Sequence, residues 1–247
     1  MSIKSPQELA GLRAAGRVVR LMLEAMKSAV RSGATTGELD AIGAEVMRAN
    51  GARSAPSLVY GFPGVSCISV NDEIVHGIPG QRRLRNGDVL KLDVTIEKDG
   101  FMADAAETVV VGGESGVGQR LSDCVRRAFE SAMVVARAGN RVSEIGRAVE
   151  SEVRRSGFFV VRELGGHGIG RTIHEPPHVP NFADPSARTT LTDGLVITVE
   201  PIIASRSGQA RLAPDGWTMR TVDRGLAAHY EHTLVITSGE PLLLTAA

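Results

Sequence analysis

RSGATTGELDAIGAEVMRANG, residues 31–51, is matched without a gap by RAGNRVSEIGRAVESEVRRSG, residues 137–157. The offset of 106 residues holds from Arg31/Arg137 through Gly33/Gly139, Glu38/Glu144, Leu39/Ile145 and Arg48/Arg154 to Gly51/Gly157. The first copy reads as a helix: Thr35 and Glu38 form a capping box at its start, and Asn50-Gly51 is a suitable stop. Further motifs recur in the same order. HGIP (76–79) is echoed by HGIG (167–170), and LRNGDVLKLD (84–93) by LTDGLVITVE (191–200). Asp104 and Glu231 each open a run that ends at a glycine eight residues on. Four matches in one order point to a duplication: two ααβ-type units packed about a pseudo-two-fold axis. The halves would span about 1–115 and 116–247 of a single domain.

The rest of the chain fits an α+β domain. Ser5-Pro6-Gln7-Glu8 opens an earlier helix, whose apolar positions Leu9, Leu12, Val19, Leu23, Met26 and Val30 keep helical spacing up to Gly33. Alternation and β-branched residues predict strands from Leu58 to Val111, then again over Phe158–Leu164, Leu195–Ile203 and Thr233–Thr237. Helices are expected over Gly118–Ala138 and Ser143–Ser156. With 28 basic and 28 acidic side chains the chain has no basic excess, which argues against a nucleic-acid binder. Its two cysteines, Cys67 and Cys124, offer no disulfide framework. No secretory signal or membrane-spanning run is expected, so the reading is a cytoplasmic protein.

The duplication superimposes three polar pairs: His76 on His167, Asp93 on Glu200 and Asp104 on Glu231. Side chains related in this way can converge where two halves meet. An Asp on a hairpin is ordinarily a solvated turn former. Glu200 and Glu231, however, lie in or beside apolar runs, where an unpaired carboxylate is costly. Four acids and a neutral imidazole together would need cations between them and suit Mn, Fe(II), Co or Zn. Two ions sharing a hydroxide could clamp the tetrahedral intermediate of amide hydrolysis. In VLKLDVTIEKDGFMADAAETVVV (89–111), Leu90, Leu92, Val94 and Ile96 would face the core, leaving Lys91, Asp93 and Thr95 on the other face. Asp93 stands directly beside Asp104 if the hairpin loop has four residues, Glu97 to Gly100, or if a bulge corrects a three-residue loop.

Two motifs mislead. GHGIG looks like part of a dinucleotide fingerprint, but Arg171-Thr-Ile-His-Glu-Pro-Pro cannot open the helix that fingerprint needs. His174-Glu175-Pro176-Pro177-His178 matches H-E-x-x-H, yet two central prolines forbid the helix that would align its histidines. No G-x-S-x-G elbow is present, and neither cysteine lies in a recognisable nucleophile motif.

SIKSPQELAGLRAAGR, TTGELD, CISVNDEIVHGIP, NGDVLKLDVT, KDGFMADAAET, GGHGIGRTIHEPP, TVEP and DGWTMRTVDRGLAAHYEHT together resemble the type I methionine aminopeptidases, enzymes of the pita-bread fold, over nearly the whole chain. The resemblance implies removal of the initiator methionine from nascent polypeptides with a small second residue. It assigns Asp93, Asp104, His167, Glu200 and Glu231 as ligands of two divalent ions, with Asp104 and Glu231 bridging them. It places His76 on the scissile amide, His174 on the substrate backbone, and Phe62, Cys67, Ile173 and Trp217 around the methionine side chain. Glu200 would move a proton as general base and then acid. Leu164-Gly165 stands where many bacterial members have Tyr-Cys, and Ile173 where Phe is frequent, so pocket shape is the feature expected to differ. The resemblance further implies a monomer, meeting its substrates at the ribosome, without the N-terminal zinc-finger module of some relatives. The alternatives are an Xaa-Pro aminopeptidase or prolidase-like enzyme, which usually carries a further N-terminal domain, and a non-catalytic pita-bread binding module, which typically loses ligands.

Overall fold

The computed structural model describes residues 1–113 and 116–246. The expected boundary between halves abuts Glu114 and Ser115, which lie outside the described residues.

Helix α1 (Pro6–Ser28) starts where Ser5 accepts the Glu8 N–H, though the Glu8 carboxylate reaches back to the Lys4 N–H instead of the cap residue. Helix α2 (Thr36–Ala49) carries the full Thr35/Glu38 capping box and ends at Asn50. Next come β1 (Arg53–Ser54), α3 (Ala55–Tyr60), β2 (Cys67–Val70), β3 (Glu73–Val75), β4 (Val89–Lys98) and β5 (Phe101–Val110). Helices α4 (Gly116–Val135) and α5 (Val142–Arg155) follow, then β6 (Phe159–Val160), β7 (Gly165–Gly168), β8 (Glu175–Pro180), β9 (Val196–Val199) and β10 (Ile202–Ala204). The chain closes with β11 (Ala210–Leu212), β12 (Met219–Thr221), β13 (Ala227–His229), β14 (Glu231–Val235) and β15 (Leu242–Leu243).

The principal sheet is antiparallel and runs β1-β4-β5-β14-β9-β7-β8, with β2 also paired to β4 and β15 to β14. Period-two alternation divides its faces. Leu90, Leu92, Val94, Ile96, Ala103 and Ala105 pack with α1 and α2 in one apolar cluster. Ile197, Val199, Leu234 and Ile236 pack with α4 and α5 in another. The helices therefore cover one face, and the intervening residues point to the other.

Several expectations are corrected here. The β4–β5 hairpin turns through two residues, with Asp99 at φ 51° and Gly100 at φ 82°. Asp-Gly is the pair that accepts positive φ at both turn positions. Asp93 therefore lies opposite Ala106, and Asp104 opposite Thr95. Neither the four-residue loop nor the bulge occurs. The two aspartates are diagonal neighbours on one face, close enough for the Asp93 charge to help raise the Asp104 pKa. The face with Lys91 and Thr95 is not solvated. Lys91 is 1% exposed, and its ammonium donates to the carbonyls of Asn71 at 3.0 Å and Val89 at 3.2 Å.

The strand prediction from Leu58 begins too early, because Pro56 and a Ser54 cap start helix α3 there. Leu195–Ile203 is split at Glu200-Pro201 into β9 and β10, which belong to different sheets. Phe158–Leu164 shrinks to two residues. The glycines just beyond the expected strand form β7, and the proline-containing β8 lies outside every expected strand. The H-E-x-x-H match lies at β8, not on a helix, as its prolines require.

Candidate dinuclear metal centre

Two neighbouring rows of residues cross the face opposite the helices. In the first, Cys67 pairs with Asp93, Asp93 with Ala106, and Ala106 with Glu231. Glu200, one residue beyond the Val199–His232 pair, continues that row. In the second, Thr95 pairs with Asp104 and Thr233 with Thr198. Thr233 joins Asp104 by exchanging hydrogen bonds of 2.8 Å with its backbone N–H and C=O. His167 extends this row, its N–H donating to Thr198 Oγ1 at 3.1 Å. All five expected ligands thus fall on two adjacent rows of one face.

This register revises the superposition drawn from the motifs. Exchanging the rows end for end still sets Asp104 on Glu231. It sets Asp93 on Thr198, Thr95 on Glu200 and Cys67 on His167, so the HGIP/HGIG echo does not equate His76 with His167.

The glycines around His167 are required by neighbouring backbone. A Cβ at Gly166 would lie 2.4 Å from the Thr198 carbonyl oxygen, and one at Gly168 would lie 2.2 Å from that of Pro176. Gly166→Ala is therefore expected to push β7 off β9 and carry His167 with it. Metal affinity should fall by about 10–100-fold, as when the supports of a ligand are disturbed, and a calorimetric titration checks this.

The carboxylates are crowded and dry. Burial raises the Asp93 pKa to about 7. It lifts Asp104, Glu200 and Glu231 well above the carboxylate range, and the neighbouring acids push the same way. Burial, followed by His174, lowers His167 to about 4, which leaves the imidazole neutral at pH 7. His167 Nδ1 lies 2.9 Å from the Gly168 carbonyl, so Nδ1–H donates there and Nε2 is free to bind a cation. That Nε2 is 3.5 Å from Glu200 Oε1. Ligand atoms of Asp104, His167 and Glu231 lie within 4.8 Å of one another, as do those of Glu200, His229 and Glu231. Asp104 Oδ1 and Glu231 Oε1 are buried with no hydrogen-bond partner among the described residues. Orphaned acceptors in a set of oxygens and imidazoles fit borderline divalent ions.

Above the acids lies a cavity of about 170 Å³. Phe62, Cys67, Ile173 and Trp217 line it as expected, with the Phe62 and Trp217 rings edge to face at 5.2 Å. His76 and His174 also line it. His76 holds a left-handed φ of 58°, which is uncommon outside glycine and marks a constrained position. The His174 ring sits 4.2 Å from that of His167. Desolvation lowers the pKa of both His76 and His174. Leu164 and Gly165, the departures noted in the sequence, are part of the wall.

Residues 10–238 match the metallopeptidase family M24. The chain belongs to that family. It is 44% identical over 248 residues to methionine aminopeptidase 2 of Bacillus subtilis, covering 99% of each chain. It is 38% identical to the methionine aminopeptidase of Escherichia coli, over 99% of this chain and 94% of the other. The crystal structure of methionine aminopeptidase from Thermotoga maritima superimposes with a TM-score of 0.96 at 31% identity, covering all of both chains. These full-length similarities bear out the resemblance to methionine aminopeptidases and the pita-bread fold. A prolidase from Pyrococcus furiosus, at 21% identity and a TM-score of 0.80 over 65% of its chain, shares the fold.

The sequence reading missed two residues of the site. His229 is 2% exposed, with Nε2 3.5 Å from Glu231 Oε2 and 3.6 Å from Glu200 Oε2. Burial, then His76 and Lys91, lowers its pKa to about 3. Tyr60 lies on the unexpected helix α3 and places its hydroxyl 2.6 Å from His174 Nδ1. His229 stands two residues before Glu231, but the two lie on different strands, β13 and β14, so no period-two pattern joins them.

Proposed function

We propose that the protein hydrolyses the peptide bond after an N-terminal methionine on nascent polypeptides, with a preference for a small second residue. The convergence of Asp93, Asp104, His167, Glu200 and Glu231 on two adjacent rows of one sheet face carries this reading. Two divalent ions held by these five side chains would supply a water of lowered pKa and polarise the scissile carbonyl. Fe(II), Co, Mn and Zn all suit the donors.

The chain's own residues do the rest. Glu200, which lines the cavity, accepts the proton of the attacking water and returns it to the departing amine. His76 and His174, both neutral, hydrogen-bond the scissile amide and the backbone beyond it. Phe62, Cys67, Ile173 and Trp217 enclose the methionine side chain. One domain over residues 1–247, with halves meeting near 115–116, would hold the centre. It would act as a cytoplasmic monomer, with the ribosome as one place of encounter. In support, both cysteines are free, and no described helix is long and apolar enough to cross a membrane.

Metal analysis followed by assay of a Met-Ala peptide against an Ala-Pro peptide tests the proposal. Met-Ala hydrolysis with bound divalent metal is expected. Cleavage of Ala-Pro alone would favour the proline-specific reading, and metal binding with no hydrolysis a binding module. His76→Ala should lower kcat by about 10²–10³-fold, the usual cost of one lost donor to the developing oxyanion, while metal content stays unchanged. Unaltered turnover would remove His76 from its role.

A further inference from the structure

Glu231 is flanked by two buried histidines with opposite surroundings. His232 is fully satisfied, its Nδ1 2.8 Å from Thr245 Oγ1 and its Nε2 3.1 Å from the Tyr230 hydroxyl. His229 is more buried, at 2% exposure, yet neither of its ring nitrogens has a hydrogen-bond partner among the described residues. A buried imidazole left unpartnered at both nitrogens is costly unless something else meets it.

We propose that His229 is a sixth protein donor to the metal centre, its Nε2 binding the divalent ion that Glu200 and Glu231 hold. The inference rests on the dinuclear reading above and extends its ligand set.

The separations of 3.5 Å to Glu231 Oε2 and 3.6 Å to Glu200 Oε2 are too long for good hydrogen bonds. They match the edge of a tetrahedron around an ion with ligands at ~2.1 Å, which is ~3.4 Å. The edge between His167 Nε2 and Glu200 Oε1, at 3.5 Å, has the same length. Glu231 belongs to both groups of convergent donors, one completed by His167 and the other by His229. The centre then has one imidazole on either side of a shared carboxylate.

The backbone that carries the ring is also fixed. Thr108 Oγ1 accepts the His229 N–H at 2.9 Å and donates to the His229 carbonyl at 2.7 Å, while His229 pairs with Ile202 in the β10–β13 ladder. A donor fixed in this way needs little rearrangement to bind. Two imidazoles should tilt the centre from Mn toward Co, Fe(II) and Zn.

The test uses the whole protein loaded with Co(II). Each coordinated histidine contributes one exchangeable imidazole N–H resonance, shifted far downfield by the paramagnetic ion. Two are expected in the wild type, from His167 and His229, and one in His229→Gln. Calorimetry should show Co(II) binding weakened by about 10-fold or more in that variant. A single shifted N–H in the wild type would overturn the proposal. So would two that survive His229→Gln or, should that protein not fold, His229→Asn. Failure of the underlying enzyme reading looks different: the wild type would neither take up Co(II) nor cleave a Met-Ala peptide. Full peptidase activity with one shifted imidazole removes His229 alone.

Discussion

Asp104→Asn is expected to reduce Met-Ala peptide hydrolysis by roughly 10³-fold or more, because several kcal/mol of transition-state stabilisation are withdrawn at about 1.4 kcal/mol per factor of ten. Asp104 stands near the middle of the second row, diagonal to Asp93 and next to Thr233, with Oδ1 buried and unpartnered. With Glu231, it is one of the two carboxylates proposed to touch both ions. Asparagine keeps the volume but replaces one oxygen by an NH2 group, whose positive edge would face any cation between the rows. The local fold should survive, since the backbone of residue 104 remains bonded in both directions to Thr233. Circular dichroism should thus be unchanged while metal per chain, measured by mass spectrometry, drops below two. Wild-type activity with full metal content in this variant would eliminate a bridging role for Asp104 and with it the dinuclear centre.

The sequence held more of the site than of the strands that build it. Glu200 and Glu231 are legible because each breaks a local rule, an acid in or beside an apolar run, whereas Asp93, Asp104 and His167 are legible only through the duplication and the family resemblance. The cap signatures locate the starts of α1 and α2 to within a residue or two, since caps act over three or four positions. Strand register is a long-range property, and there the reading failed. The search for a side-by-side aspartate pair imposed a four-residue loop, although Asp99-Gly100 favours the two-residue turn that is present. Both registers keep the aspartates on one face, because they differ by a step of two and only an odd slip would turn one away. That is why the site inference outlived the wrong loop. His229 was missed for a related reason. Its strand breaks at Tyr230, and nothing local distinguishes its empty-handed ring from the satisfied His232 three residues later.

The same crowding that marks the site makes stability depend on metal and pH together. Without metal, burial pushes the Asp93 carboxyl up to about 7 and holds Asp104, Glu200 and Glu231 well above their ordinary values. Between about pH 4 and pH 7 the folded chain therefore keeps protons that the unfolded chain has released. Stability falls as pH rises through that window, by about 1.4 kcal/mol per unit for each such group. Divalent ions hold the carboxylates ionised in the folded state and remove this slope. The depressed histidines are neutral in the folded state throughout this range, with or without metal, and Lys91, whose pKa burial lowers to about 7, is not a ligand, so their contributions largely cancel in the difference. Scanning calorimetry from pH 5 to pH 8 should accordingly show the Tm of the chelated protein dropping away from that of the metal-loaded protein, with the gap widening at each step. Parallel curves would mean that the four acids do not share a dry cleft. In that case the fold would hold them apart, each solvated on its own, and no pair of cations would be needed to keep them charged.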